Sequence, residues 1–385
     1  MVSGVPAPAS PEQLLEEIRR CCSRPWTLME VCGGQTHALL RHGIDQLLPP
    51  EITLIHGPGC PVCVTASERI DQALELAAQP DVILCSFGDM LRVPGSQVPS
   101  WQVPGSQGRT LLERRAAGAD VRVVYAPLDV LELARRHPER LVVFFAVGFE
   151  TTAPSTALLA QRALAEGLTN LALLVGHVRV PPVLEVMLSN PACRVQGVLA
   201  AGHVCTVMGE EAYGQLVERH RRPIVVTGFE ANELLRGILH CVRQLERGEQ
   251  RLENVYRRAV RECGNGSARA LVEAVFQPED TPWRGLGTIP RGGLRLRPPY
   301  DSLAVERHRP ELAPSPCTAP DCTATTTPAA DAPHLCLSGQ VLQGLLKPPD
   351  CPSFNRACTP ETPLGAPMVS SEGACAAYHR FRAPA

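Results

Sequence analysis

Cys60-Pro61-Val62-Cys63 sets two thiols with two residues between them, a spacing that closes a small disulfide or offers half of a metal site. Between an expected strand and an expected helix start, such a motif lowers its thiolate pKa, typically to ~7 from ~8.5. The zinc reading has no second Cys-x-x-Cys to complete it. Toward the C-terminus the spacing is Cys336-x14-Cys351-x6-Cys358-x16-Cys375. Four thiolates are the ligand set of a [4Fe–4S] cluster. Pro348, Pro349, Pro352, Pro360 and Pro363 break helices and keep the loops between those sulfurs open. Structural zinc and four unrelated cysteines are the alternatives, but zinc sites usually carry closely paired cysteine knuckles and these four do not.

A third motif, Glu30-Val31-Cys32-Gly33-Gly34-Gln35-Thr36-His37, puts a cysteine where a strand should end and two glycines before a helix. The carboxyl edge of a parallel sheet is where open α/β folds place ligands. His37 adds an imidazole suited to a transition metal. A cysteine at a strand end is also commonly just small and buried. His177 and His203 follow apolar strands at what should be the same sheet edge, as cleft residues or as hydrogen-bonded structural histidines. Glu150, Thr151 and Thr152 either bind a ligand at a helix start or cap that helix. Cys317 and Cys322 read as spare thiols in a linker. Cys21, Cys22, Cys85, Cys193, Cys205, Cys241 and Cys263 show no usable spacing.

The elements that must position these groups alternate. Short β-branched runs near 27–31, 52–55, 82–85 and 121–125 are each followed by a helix-like segment, and the pattern restarts at 141–147, 171–175, 197–200 and 224–227. That alternation predicts parallel α/β sheets. At 385 residues the chain exceeds what one core serves. The expected division is an α/β domain at 24–137 carrying Cys32, Cys60 and Cys63, a similar one at 138–248, and a loop-rich iron–sulfur domain at 249–385 with residues 1–23 packing on it. Gly148-Phe149-Glu150 recurs as Gly228-Phe229-Glu230, each at a strand's end. Val93-Pro94-Gly95-Ser96-Gln97 recurs at 103–107 as a tandem surface insertion. A helix is expected near 252–262, then Gly-, Pro- and Arg-rich chain to 299, and a Pro/Thr/Ala linker at 313–333. The four-cysteine segment beyond it holds too little apolar material for its own core, and a metal cluster would hold it together.

Bulk properties exclude some classes. The net charge of -2 gives no reason to expect nucleic acid or an anionic membrane as partner. No apolar run approaches a bilayer span, and the first ten residues lack a basic stretch followed by an apolar one, so a cytoplasmic protein is expected. Disulfides rarely persist in that compartment, and sixteen cysteines there point to metal ligation or redox chemistry.

Together the motifs resemble the HypD family of hydrogenase maturation proteins. The resemblance runs from about Trp26 to Tyr378. It rests on Met29-Glu30-Val31-Cys32-Gly33-Gly34, Gly57-Pro58-Gly59-Cys60-Pro61-Val62-Cys63, Gly148-Phe149-Glu150-Thr151-Thr152-Ala153-Pro154, Cys358-Thr359-Pro360-Glu361 and Met368-Val369-Ser370-Ser371-Glu372-Gly373-Ala374-Cys375. It implies two similar α/β domains and a third carrying a [4Fe–4S] cluster, arranged like ferredoxin–thioredoxin reductase. It also implies an assembly scaffold rather than a conventional turnover enzyme, paired with a HypC chaperone. Cyanide would come from the C-terminal thiocyanate of HypE, and the Fe(CN)2CO unit would pass to the hydrogenase large subunit. By position Cys32 becomes an iron ligand, with His37 a second candidate. Cys60 and Cys63 become the redox dithiol, and Cys336, Cys351, Cys358 and Cys375 the cluster ligands.

The chain departs from the family pattern in places. Gln35 stands where many relatives have histidine, a poor exchange for low-valent iron. Cys336-Leu337-Ser338-Gly339 replaces a common Cys-x-Cys-Gly, and Ala201-Gly202-His203 with Cys205 replaces a more usual Pro-Gly-His and Ser. The competing function is an iron–sulfur-dependent thiol–disulfide reductase, which leaves Cys32 and its glycines without a task.

Overall fold

A computed structural model describes residues 9–96, 110–312 and 336–382. Nine parallel-sheet strands appear in chain order: β1 (Trp26–Glu30), β2 (Ile52–His56), β3 (Val82–Ser86), β4 (Val121–Val123), β5 (Leu141–Gly148), β6 (Leu171–His177), β7 (Gly197–Ala201), β8 (Ile224–Thr227) and β9 (Leu252–Asn254). They form two parallel sheets, ordered β2-β1-β7-β8-β9 and β4-β3-β5-β6. The expected α/β class with two similar parallel sheets is what the chain adopts.

Both faces of each sheet are buried, which is why the strands read as unbroken apolar runs. Along β5, Val142, Phe144 and Ala146 enter one core while Val143, Phe145 and Val147 enter the opposite one. In β1, Met29 faces one side and Trp26 and Leu28 the other. This period of two fixes each strand's register, because a one-residue slip would exchange the two faces.

The pairing runs across the expected division at residues 137 and 138. β4 lies before that point and β5 after it, yet both belong to the second sheet, and β7 and β8 join β1 in the first. Apolar runs announce strands but not their partners. The second sheet is thus a chain excursion inserted between β2 and β7. The N-terminal helix Pro11–Cys21, capped by the reciprocal Ser10–Gln13 box, buries Leu14, Leu15 and Ile18 against the helix Ala231–Glu246. Its described residues therefore belong with the first sheet, not with a C-terminal domain; residues 1–8 lie outside the described range.

The region after residue 249 also differs from expectation. Leu252–Asn254 extends the first sheet as β9 instead of starting a helix, because pairing with β8 outweighs the local helical pattern. The helix comes later, at Gly266–Val275, with Asn265 accepting the Ala268 N–H at its start. The Gly- and Pro-rich stretch is an antiparallel hairpin of β10 (Phe276–Trp283) and β11 (Gly287–Leu296). Trp283 is buried, stacks on Phe149 and donates its indole N–H to the Gly292 carbonyl at 3.1 Å. Burial of such a side chain contributes about 3 kcal/mol, enough to anchor the hairpin across the seam. The second copy of the tandem repeat, the 313–333 linker, Cys317 and Cys322 lie outside the described residues. Among the described residues no helix is long and apolar enough to cross a membrane.

Candidate functional site

In the first sheet the strand order reverses between β1 and β7: the chain steps outward one way to β2 and the other way to β8. Connections leave such a point in opposite directions, which opens a crevice beyond the carboxyl ends. Cys32 stands there, two residues past β1 and at the start of the helix Gly33–Arg41. The Glu30 carboxylate returns to accept its N–H at 2.8 Å. Glu30 is fully buried; it also accepts from the Thr36 hydroxyl and lies 2.7 Å from Nδ1 of buried His56, its register partner on β2. Burial, with Glu30 close by, pushes the half-buried Cys32 thiol up to about 12. At neutral pH it stays protonated until a cation displaces the proton.

The dithiol loop is fastened to this turn. Gly57 N–H donates to the Glu30 carbonyl at 2.8 Å and Gly33 N–H to the Gly59 carbonyl at 2.7 Å. A Cβ on Gly59 would overlap the Cys32 backbone, so only glycine allows the two loops to lie this close. Cys60 and Cys63 are buried and joined as a disulfide, with Cα atoms 5.3 Å apart. Cys60 heads the short helix Pro61–Val64, and its sulfur accepts the Cys63 N–H at 3.2 Å. The hairpin straps this helix from outside: Arg284 N–H donates to the Val64 carbonyl at 2.9 Å.

The other candidates divide. His203 is exposed at the same edge as Cys32, stacked on Phe229 with ring centroids 3.8 Å apart. Phe229 lies within 3.2 Å of where a Gly34 Cβ would sit, and Cys32 Sγ is 3.9 Å from that point. Phe229 therefore walls the cysteine's crevice. His177 is elsewhere. It ends β6 in the second sheet, buried, with Nε2 2.9 Å from the Thr156 hydroxyl. Burial lowers its pKa to about 4, and it lines a separate cavity with Thr65, Arg69, Glu279 and Thr281. The shared edge expected for the two histidines is thus corrected: similar strand ends belong to different sheets. Glu150 is buried past β5, accepts the Val180 N–H at 3.0 Å, and is raised to about 7 by burial. Thr152 bonds locally to the Phe149 carbonyl at 3.2 Å and Thr151 is half-buried beside it. Gln35 donates to the carbonyls of Ala200 and Thr227, pinning its helix to β7 and β8. His37 turns to the C-terminal segment, 3.3 Å from the Ser371 carbonyl and edge-on to Phe381.

That segment carries the remaining sulfurs. Cys336, Cys351, Cys358 and Cys375 line one cavity, from three loops and the start of the helix Ala374–Arg382. Burial and the neighbouring Cys336, Cys358 and Cys351 raise the Cys375 thiol well above its ordinary value; burial also raises Cys358. A Cβ on Gly365 would overlap Cys336 Sγ. Among the described residues no three His, Cys, Asp or Glu side chains converge to hold a single ion. The four cysteines line one cavity, and at neutral pH the two raised thiols become thiolates only as a metal replaces their protons. Four cysteine sulfurs are a donor set that a [4Fe–4S] cluster takes. The cavity abuts the sheet-edge site: Ala366–Met368 packs on the helix Pro61–Val64, and Glu372 lies against Gly33.

Sequence reasoning missed Glu30, His56 and Phe229. Glu30 had a signal, a carboxylate inside an otherwise apolar strand, and buried charges are kept only with partners. Phe229 had only its place in a repeated tripeptide.

The fold and the site define a parallel α/β protein with a thiol and a Cys-x-x-Cys disulfide at a sheet switch point and four cysteines packed beside them, side chains of the type that soft metals take as ligands. Comparison with known proteins narrows that class. The family profile described as HypD, hydrogenase formation hypA family, matches residues 10–382. The hydrogenase maturation factor HypD of Rhodobacter capsulatus is 43% identical over 371 residues, covering 96% of this chain and 93% of its own length. The proteins of that name from Rhizobium leguminosarum bv. viciae and Escherichia coli K12 are 44% and 43% identical, covering 94% and 98% of this chain and 90% and 96% of theirs. The chain belongs to the HypD family of hydrogenase maturation factors.

Proposed function

We propose that this protein is the cytoplasmic scaffold on which the Fe(CN)2CO unit of [NiFe] hydrogenases is assembled. Cys32 grips the iron together with a cysteine of a HypC-type chaperone, and a HypE-type partner delivers cyanide as a thiocyanate. The finished unit then passes to the hydrogenase large subunit. The observation that carries this reading is the backbone bonding of the Cys32 turn to the dithiol loop, Gly33 N–H to Gly59 carbonyl at 2.7 Å. The cysteine proposed to grip the metal and the pair proposed to store two electrons thus lie on loops bonded to each other.

The electrons balance. Splitting R–S–CN into R–SH and cyanide consumes two electrons and one proton. Oxidising the Cys60 and Cys63 thiols to their disulfide releases two electrons and two protons, so one proton remains for solvent. Cys336, Cys351, Cys358 and Cys375 would hold a [4Fe–4S] cluster, which when bound supplies single electrons for reducing the disulfide again. His37 contacts the C-terminal segment through Ser371 and Phe381, and in this reading Cys32 is the iron ligand, with His37 the second candidate. His203 and Phe229 wall the crevice, and the Cys32 thiol gives up its proton as iron binds.

The test is anaerobic co-purification with a HypC-type partner. Infrared bands of iron-bound cyanide and carbon monoxide are expected, with iron–sulfur absorbance. Cys32→Ala should lose the bands and hydrogenase maturation while keeping that absorbance. Active hydrogenase in Cys32→Ala cells would overturn the iron-ligand role and favour an iron–sulfur thiol–disulfide reductase; colourless protein without iron and sulfide would remove the cluster.

A further inference from the structure

Three sulfur sites meet around one buried pair to which the sequence motifs gave no role. Glu30 and His56 are 0% and 4% exposed. One Glu30 oxygen accepts the Cys32 N–H at 2.8 Å; the other accepts from Thr36 and lies 2.7 Å from His56 Nδ1. A carboxylate only accepts, so the ring hydrogen sits on Nδ1. His56 is the last residue of β2, and the dithiol loop leaves from it. Its ring lies edge-on to Tyr378, 5.5 Å between centroids, one helical turn beyond Cys375. The backbone carbonyl of Glu30 meanwhile accepts from Gly57.

We propose that Glu30, braced by His56, is a positioning residue: it fixes the Cys32 turn against the dithiol loop so that the thiol meets iron in one geometry. This rests on the scaffold reading above. The physical basis is the count of anchors. Cys32 heads its helix without a side-chain cap of its own, and its N–H is restrained by a side chain whose orientation is set from two further directions. Without Glu30 the N–H, the Thr36 hydroxyl and the His56 ring lose their shared acceptor inside the fold.

Hydrogen bonding and charge make opposite forecasts for one conservative variant. In Glu30→Gln the amide oxygen can still accept from Cys32, its NH2 can donate to His56 Nδ1 in the other tautomer, and the Thr36 hydroxyl can rotate. Glu30→Leu keeps the volume and offers no acceptor. The experiment measures iodoacetamide labelling of Cys32, mapped by mass spectrometry, in protein with the Cys60–Cys63 disulfide intact. It also records the infrared bands of the HypC-type complex, with iron–sulfur absorbance and melting temperature as checks on folding. Glu30→Leu is expected to label about tenfold faster, the scale of losing one hydrogen bond to a charged group, and to show shifted or broadened bands. Glu30→Gln is expected to stay near the native protein in both. Native behaviour in Glu30→Leu, or Glu30→Gln as altered as Glu30→Leu, overturns the proposal; the second outcome assigns Glu30 a role through charge. Should Glu30→Leu fail to fold, His56→Phe removes the brace and must reproduce the faster labelling. If native complex shows no diatomic bands, the scaffold reading fails, while the labelling comparison still judges the positioning.

Discussion

The two groups of cysteines are held in opposite ways. Cys32, Cys60 and Cys63 leave strand ends whose registers are set by apolar cores on both faces, and their loops are tied by Gly33–Gly59 and Gly57–Glu30 backbone bonds. The fold puts these sulfurs in place unaided. Cys336, Cys351 and Cys358 sit on turns whose backbone bonds reach only a few residues, such as Phe354 N–H to Cys351 and Cys358 N–H to Ser353. Beneath the helix Ala374–Arg382, which carries Cys375, lies a small core of Leu40, Ala377 and Tyr378. Leu342 joins one of the larger cores and Ala366 and Val369 another, so the segment is pinned at a few points while the turns between them gain little burial against the entropy of ordering. At the sheet edge the structure positions sulfur; in the C-terminal segment, on the cluster reading proposed above, a bound cluster would help to position the loops.

Removing one C-terminal ligand is the sharpest way to break this contrast. Cys358→Ala should lose the iron–sulfur absorbance entirely, and amide exchange across residues 336–382 should rise at least about a hundredfold. Exchange in β1 and β7 should not change. Hydrogen-exchange mass spectrometry decides it, and a C-terminal segment that stays protected would show that packing alone suffices. The matching change at the sheet edge is Gly59→Ala. Its Cβ meets backbone rather than a side chain that can yield, so denaturation should show a loss of about 2–4 kcal/mol. Iron–sulfur absorbance per folded molecule should hold. If Gly59→Ala instead strips the cluster, the two regions are not independently built.

The same difference decides what could be read from sequence. Strands with both faces buried announce themselves, and β1, β2, β5 and β8 lie within a few residues of their expected bounds. Their partners do not, because pairing β1 with β7 depends on a fold no local pattern encodes. Hence the second sheet's place inside the first stayed hidden, and two similar strand-end histidines were expected at one edge. The hairpin β10–β11 was obscured by its own glycines and prolines. Of the site, cysteine spacing was legible because ligand sets have characteristic spacings. The pairing of Glu30 with His56 was not, since only the register across β1 and β2 brings them together.

Reducing the Cys60–Cys63 disulfide probes the sheet edge more gently. If strand ends already hold the loop, the cost is limited to chain entropy over a very short loop, about 2 kcal/mol. The melting temperature should fall by only a few degrees in calorimetry, with Cys32 labelling unchanged. A larger fall would mean that the disulfide, not the backbone bonding, holds this edge.

The smallest net effect is expected from the polar groups buried at the second sheet's end. Glu150 is raised to about 7, so the folded protein keeps its proton where the unfolded chain has lost it. Its contribution to stability is present in full below the unfolded value near 4.5 and is lost as pH rises toward 7, by about 3 kcal/mol. His177 is lowered to about 4, so the folded protein lacks a proton that the unfolded chain binds, and its contribution grows by about 3 kcal/mol between pH 4 and 6.5. The signs oppose across pH 4.5 to 6.5, and the pair together should change stability there by less than about 1 kcal/mol. Glu150→Gln uncouples them. Relative to the native protein, the variant should gain stability steadily from pH 4.5 to 7 in urea denaturation. A constant difference would mean that Glu150 titrates as an ordinary carboxyl and that this sheet end admits water, making it more like the C-terminal loops than the edge that holds Cys32.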